Sequence, residues 1–331
     1  MAKKATIKDV ASRAGVAPST VSYAFNGKRS ISDEARKRIM DAVKILDYRP
    51  SYAAQLMKTS RTMSIGVAID QCSNPATSRF LESLGQIMRK HGYHMILGVS
   101  GGNIEEGINI VRHFASGMVD GVINMLPGMS LLEAKQLCRD IPVVTYGRPS
   151  AESPVSIDYR SGMVELMEYL WCLGHRRIGF VTISNRKFNS LEDPCIFAAK
   201  AFLQSKGADL DERLIYFGDG TFESGMVAGM ELYQHGITAM FSGNDISGAG
   251  VLAWAHANGV RIPDDLSVAG FDDSPIASSV FPTLTSVQLP NADLAEYTFK
   301  GLKNKLDGLN DWQHKKVPTS LIVRNSCKKI D

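Results

Sequence analysis

The stretch Ser19-Thr20-Val21-Ser22-Tyr23 is the part of this sequence best equipped to exchange hydrogen bonds with an outside partner. Hydroxyls donate and accept, and the edges of base pairs in a DNA major groove present distinct donor and acceptor patterns. The chemistry on offer is recognition. Residue types that do covalent work are present, as in any chain of this size, but not in a working arrangement. No Ser sits in a nucleophile-elbow pattern, and no Gly-rich loop ends in Lys and a hydroxyl residue to cradle phosphate. The acid pairs Asp264-Asp265 and Asp272-Asp273 could suggest a metal. No His or further carboxylate stands at ligand spacing, and the first pair reads better as the cap of a strand. The five cysteines, Cys72, Cys138, Cys172, Cys195 and Cys327, are scattered without a close pair. That spacing argues against a zinc site or a disulfide scaffold and for a reducing cytoplasm. No catalytic residue, cofactor or metal is expected.

The hydroxyl stretch needs a helix to present it. Thr6 can cap a first helix with Ile7, Val10, Ala11 and Ala14 on one face, and Gly15 ends it. Pro18, a favoured first helical residue, opens a second helix that stops at Asn26-Gly27. On it Thr20 and Val21 turn inward, and Ser19, Ser22 and Tyr23 face outward. A third helix starts at Ser32 and keeps Ile39, Val43 and Leu46 at helical spacing. Arg49-Pro50 breaks the pattern, and the short segment 51–59 is too brief to be stable alone. Charge follows the same division. Residues 1–60 carry 12 Lys/Arg against 5 Asp/Glu, whereas the other 271 carry 25 against 29. A small basic module on a mildly acidic body is the electrostatic footprint of a nucleic-acid binder; a solvated basic arm would look the same by charge alone.

The remaining sequence alternates strands and helices. Apolar strands are expected at 64–69, 94–100, 121–126, 142–147, 177–183, 214–219, 239–243 and 266–271, with amphipathic helices between them. Near-continuous apolar strands in such alternation mean parallel sheets covered on both faces. Two runs imply two doubly wound lobes. With 331 residues, 44% hydrophobic and 21% charged, the chain is an ordinary globular protein of two or three domains. No apolar run is long enough to span a bilayer, and no apolar segment follows the N-terminal lysines as a secretory signal would require.

Several motifs keep their order and spacing along nearly the whole chain. They are Thr6-Ile7-Lys8-Asp9-Val10-Ala11, Ala14-Gly15-Val16, Thr20-Val21-Ser22, Asn26, Tyr48-Arg49-Pro50 and Ala53-Ala54 near the start. In the core they are Ile65-Gly66, Val119-Asp120-Gly121, Leu173 to Ile178, Asn244-Asp245, Pro263 to Val268, Gly270 to Asp273 and Pro282 to Thr285. Together they resemble the lactose/galactose repressor (LacI/GalR) family. The resemblance implies an all-α helix-turn-helix headpiece (1–49), a hinge helix and linker (50–62), and an α/β core (63–331) of the periplasmic-binding-protein type I fold. The first lobe would hold about 63–160 and 291–320, the second about 161–290 and 321–331. It implies DNA contacts from Thr6, Pro18, Ser19, Thr20, Ser22, Tyr23, Asn26, Arg29 and Tyr48, and from the hinge residues Ala54 and Met57. An effector in the cleft would change DNA affinity, with Asp70, Arg79, Arg148, Cys195, Asn244 and Asp272 as its contacts. Asp272 also reads as a structural cap.

The departures from the family pattern bear on specificity. Base-reading positions hold Pro18, Ser19 and Tyr23, where many relatives end in Arg or His; Tyr cannot make the bidentate guanine contact of an Arg. Ala17 replaces the usual Ser cap. Met57 stands where many relatives wedge a Leu between base steps, with Leu56 as the neighbouring alternative. In the core, Cys195-Ile196-Phe197-Ala198 stands where sugar-binding relatives have R-x-x-G. Gly220 stands in place of an aromatic, and Gly147 in place of an acid. Two explanations fit: an atypical effector, or none, with control by a protein partner or by abundance. The expectation is a cytoplasmic regulator, a repressor acting as a homodimer on a near-palindromic operator. The chain ends just after its last strand, without a leucine heptad for tetramers. A solute-binding receptor and a sugar-modifying enzyme are the other classes weighed. The receptor would need a secretion signal and no headpiece, the enzyme a catalytic constellation.

Overall fold

The computed structural model describes residues 5–26, 31–48, 61–146, 153–183, 193–309 and 314–330. The chain forms two compact units, 1–62 and 63–331.

In the small unit three helices, α1 (Ile7–Ala14), α2 (Pro18–Asn26) and α3 (Asp33–Ile45), surround one apolar cluster. Local chemistry sets their ends. Thr6 and Asp9 form a reciprocal capping box, and Gly15 closes α1 in the left-handed region at φ 64°. Ser32 caps α3 through the Ala35 amide at 3.3 Å. Val10, Val21 and Ile39, all fully buried, meet at the centre with Ala11, Ala14, Ala24, Ala42 and Tyr48.

The large unit holds two α/β lobes, as expected. Four parallel strands form the first sheet in the order β2 (His94–Val99), β1 (Ser64–Ile69), β3 (Gly121–Asn124), β4 (Val143–Thr145). The second sheet is β12 (Ser320–Ile322), β10 (Thr285–Gln288), β9 (Ser267–Asp272), β8 (Ala239–Ser242), β6 (Ile178–Thr182) and β7 (Ile215–Phe217). All its pairs are parallel except β10 with β12. A separate two-stranded parallel sheet joins β5 (Val155–Asp158) to β11 (Lys315–Pro318). All six residues of β1 and all five of β6 are buried, because helices cover both faces.

The first-lobe helices are α4 (Pro75–Lys90), α5 (Ile104–His113), α6 (Leu131–Cys138) and α12 (Asn291–Leu306). Those associated with the second sheet are α7 (Tyr159–Cys172), α8 (Pro194–Ser205), α9 (Phe222–Tyr233), α10 (Asp245–Ala257) and the short α11 (Pro275–Ser279). Helices α9 and α10 pack backbone to backbone. Gly225 lies against the Ser247 carbonyl and Gly250 against that of Phe222, with no room for a Cβ at either. This places the N-termini of both helices beside the carboxyl ends of the strands, where open α/β sheets bind ligands.

Candidate nucleic-acid interface and ligand cavities

Helix α2 is anchored by Val21 (0% exposed) and Ala24, and presents Pro18 and Ser19 to solvent with Tyr23 and Thr20 half-buried. A correction applies to Ser22, expected to face outward: it is buried, 9% exposed. A side chain of two heavy atoms beside a fully buried valine lies low on the helix, where larger neighbours shade it; Tyr23 reaches past them. Thr6 is committed to its cap, its Oγ1 lying 2.7 Å from Asp9 Oδ2. Tyr48 is packed into the headpiece core, its ring tilted against Phe25 at 6.2 Å, and burial raises its phenol pKa. Its described position braces α2 and α3. Lys8, Arg13, Lys37 and Arg38 are exposed. Arg36 donates to the Ala24 carbonyl at 3.4 Å, tying α3 to the last turn of α2. Sequence reasoning passed over this contact, since a tertiary bond to a carbonyl leaves no local pattern. Arg29, Ala54, Met57 and Arg148 lie outside the described residues, as does the side chain of Asn26.

In the large unit, the remaining expected ligand contacts other than Arg79 divide between two cavities that share Ile183 as a wall. The first, about 380 Å³, lies at the ends of β6, β8 and β9 and contains Cys195 and Asp272. Tyr159, Phe241 and Phe271 give it aromatic walls, and Asp193 adds a second carboxylate. The second, about 540 Å³, lies between the lobes. Asp70, Gln71 and Asn74 line it from one side, Asp219, Thr221, Glu223 and Asn244 from the other. Asp70 accepts hydrogen bonds from Ser100 Oγ (2.9 Å) and the Gly102 amide (2.8 Å). Asn244 caps α10. Its Oδ1 accepts from Ser247 N and Oγ at 2.8 and 2.7 Å, and its Nδ2 donates to the Gly220 carbonyl at 2.9 Å.

Arg79 borders neither cavity. It sits on α4 in a groove with Gln86 and Gln288, and its guanidinium donates across the lobes to the Asp273 carbonyl at 2.5 Å. Asp193 and Tyr159 are among the cavity residues that the sequence reading lacked. The signal for Asp193 was present: an Asp before Pro is an N-cap followed by a first-turn proline, and Asp193 does accept from the Cys195 and Ile196 amides.

The end of β9 is unusual backbone. Asp272 and Asp273 have φ of 99° and 48°, a region that L-residues with a Cβ seldom adopt. A polar network holds the turn. Asp273 pairs with Arg324 at 2.5 Å and accepts from Gln288 at 2.8 Å, while its amide donates to Ser286 Oγ at 3.1 Å. Beneath it Asp245, 1% exposed, accepts from Ser286 Oγ and the Ser274 amide, both at 2.6 Å. Burial also pushes the acids of the first cavity upward. Asp272 is raised well above the ordinary carboxylate range, with the Asp245 charge adding to burial, and Asp193 is raised against the pull of its two amide donors. The Cys195 thiol is raised by burial and by both carboxylates, which keeps it protonated and unreactive. Among the described residues no group of three or more His, Cys, Asp or Glu could hold a metal ion.

Burial raises the Asp245 pKa to about 6 from 3.8, against the pull of its Ser286 and Ser274 donors. The folded protein therefore keeps a proton that the unfolded chain releases. Stability from this group is full below about pH 4 and is lost as pH rises through about 6. At 1.36 kcal/mol per pKa unit the change is about 3 kcal/mol. Asp245→Asn can still accept from Ser274 and should remove this dependence. Urea unfolding at pH 4 and 7 should show wild type losing stability relative to the variant as pH rises; a difference independent of pH would contradict the assignment.

Comparison with known proteins gives matches in both units. The profile described as bacterial regulatory proteins, lacI family, matches residues 6–51, and that of a periplasmic binding protein-like domain matches 167–327. The chain is 31% identical over 331 residues to the HTH-type transcriptional repressor PurR of Edwardsiella ictaluri (strain 93-146), covering 97% of this chain and 96% of that protein. It is 31% identical over 294 residues to catabolite control protein A of Staphylococcus xylosus, with coverage of 87% and 88%. Among solved structures, a lac repressor dimer bound to operator and the anti-inducer ONPF superposes with a TM-score of 0.86 at 23% identity, over 98% of this chain and all of that one. A complex of the transcriptional regulator CelR with cellobiose gives 0.71 at 27% identity, over 97% and 99%.

Proposed function

The chain belongs to the lacI family of bacterial regulatory proteins, and on that premise we propose that it is a repressor that binds a near-palindromic operator as a homodimer. The observation that carries the reading is a separate basic unit in which α2, anchored by Val21, holds Pro18, Ser19 and Tyr23 at its surface or partly so. We assign the headpiece to 1–49, the hinge to 50–62 and the core to 63–331. Ala54 and Met57 enter the minor groove, Pro18, Ser19 and Tyr23 read bases, and the exposed lysines and arginines contact phosphates. The family consists of regulators, and this chain acts by binding alone, in the cytoplasm where its DNA is. No described helix is long and apolar enough to cross a membrane.

A small ligand in the large unit modulates operator affinity. Two features support this. The cavities lie at strand ends and between lobes, and the turn at Asp272-Asp273 places one residue in a cavity while the next is held by Arg79 of the other lobe. Exposed apolar residues support the dimer: Phe281 is 95% exposed, and Leu97 and Val99 project from edge strand β2.

Sites selected by the full-length protein from randomised DNA should be near-palindromic. Tyr23→Ala should alter preference within each half-site by about 1–3 kcal/mol per affected base pair. Recovery of the same sites with unaltered preferences by the variant would remove Tyr23 from the reading surface.

A further inference from the structure

We propose that the cavity lined by Asp193, Asp272, Tyr159 and Phe271 takes a compact organic cation with a flat apolar body. The inference deepens the ligand-controlled reading above and rests on it.

Three aromatic residues and two acids stand among aliphatic residues on the walls. The Tyr159 and Phe271 rings lie nearly parallel, 5.7 Å between centroids and 26° between planes, and Phe241 adjoins them. Aromatic faces attract cations through the ring quadrupole. Two carboxylates share the space with them. Asp193 spends Oδ1 on the first amides of α8. Asp272 borders the cavity from a turn held open at positive φ. Burial disfavours the charge on both acids, and at Asp272 the Asp245 charge adds to it. A carboxylate withdrawn from water is costly, and a positively charged guest offsets that cost by pairing with it. An anionic guest would instead meet two carboxylates at close range. A sugar's hydroxyls can donate to the two carboxylates, but the side-chain donors on these walls are few (Thr182, Tyr159 and the Cys195 thiol) and most of the remaining wall is apolar.

Three ligands of one shape and different charge test this directly. Benzamidine, benzamide and benzoate carry the same ring with positive, zero and negative charge. Calorimetric titration of the full-length protein should give benzamidine at least tenfold tighter binding than benzamide, and no measurable binding of benzoate. Asp272→Asn keeps a residue tolerant of positive φ and should erase the preference for benzamidine. Asp193→Asn keeps the cap and should reduce it. The proposal is overturned by benzamide or benzoate binding as tightly as benzamidine. Glucose or glucose 6-phosphate binding where benzamidine does not would overturn it too, as would failure of all five compounds to bind. The wild-type charge series decides even if a variant fails to fold. Operator affinity with and without benzamidine is a separate readout: preferential binding that leaves it unchanged upholds the cation site and counts against ligand control.

Discussion

Phe281→Asp is expected to convert the protein to a monomer at concentrations where wild type is a dimer, and to weaken operator binding with it. Phe281 follows α11 and is 95% exposed, far beyond what a large aromatic gains from standing in water. Buried in an interface, such a residue is a typical energetic centre, and its loss costs about 2–4 kcal/mol. In a two-fold symmetric dimer each substitution is made twice, so the loss is at least about 4 kcal/mol and dimerisation should weaken by at least about 700-fold at 1.4 kcal/mol per tenfold. Operator affinity follows because the second headpiece no longer binds at the high effective concentration set by the first. Sedimentation and a binding titration on the same preparation check both effects. A variant that stays dimeric would place the interface elsewhere, with β2 and its exposed Leu97 and Val99 as the next face to test.

Val21→Asp should abolish DNA binding outright while leaving the core intact. Val21 is fully buried in a small headpiece cluster of four alanines with Val10, Ile39 and Tyr48. Units of this size bury too little surface to absorb a large penalty, and an unpaired buried carboxylate costs several kcal/mol. The two units are compact separately, so calorimetry should lose the headpiece transition and keep that of the core. Retained operator binding by a folded Val21→Asp headpiece would contradict the placement of this residue.

The headpiece was legible because its signals are local. Thr6, Pro18 and Ser32 act on the few residues that follow and Gly15 on those just before it, and each ends or starts a helix where the sequence placed it. The parallel strands were legible for a different reason: with both faces covered they become apolar runs, and Ser64–Ile69 stands where expected. The strands at 155–158, 285–288 and 315–318 carried no such run. Val-Ser-Ile-Asp and Lys-Lys-Val-Pro pair with each other across about 160 residues, and nothing local announces that partnership. The candidate ligand cavities were legible in part. Cys195 and Asp272 border one and Asp70 and Asn244 another: strand ends place Asp70, Asn244 and Asp272 there, and the first turn of α8 places Cys195. Arg79 stands apart because its partner is a backbone carbonyl of the other lobe, which only the folded chain brings near. Ser22 shows the limit of helical periodicity for small side chains, whose exposure depends on their neighbours' size more than on their angle around the helix.

The central claim is that this chain binds a specific DNA sequence through a basic headpiece. The most direct measurement is a fluorescence titration of the full-length protein against its selected near-palindromic site and a scrambled duplex of equal length, repeated from low to high salt. Phosphate contacts release counterions, so affinity for both duplexes should fall steeply with salt. At physiological salt the selected site should remain at least about a thousandfold tighter. Equal affinity for the two duplexes at every salt concentration would contradict the account.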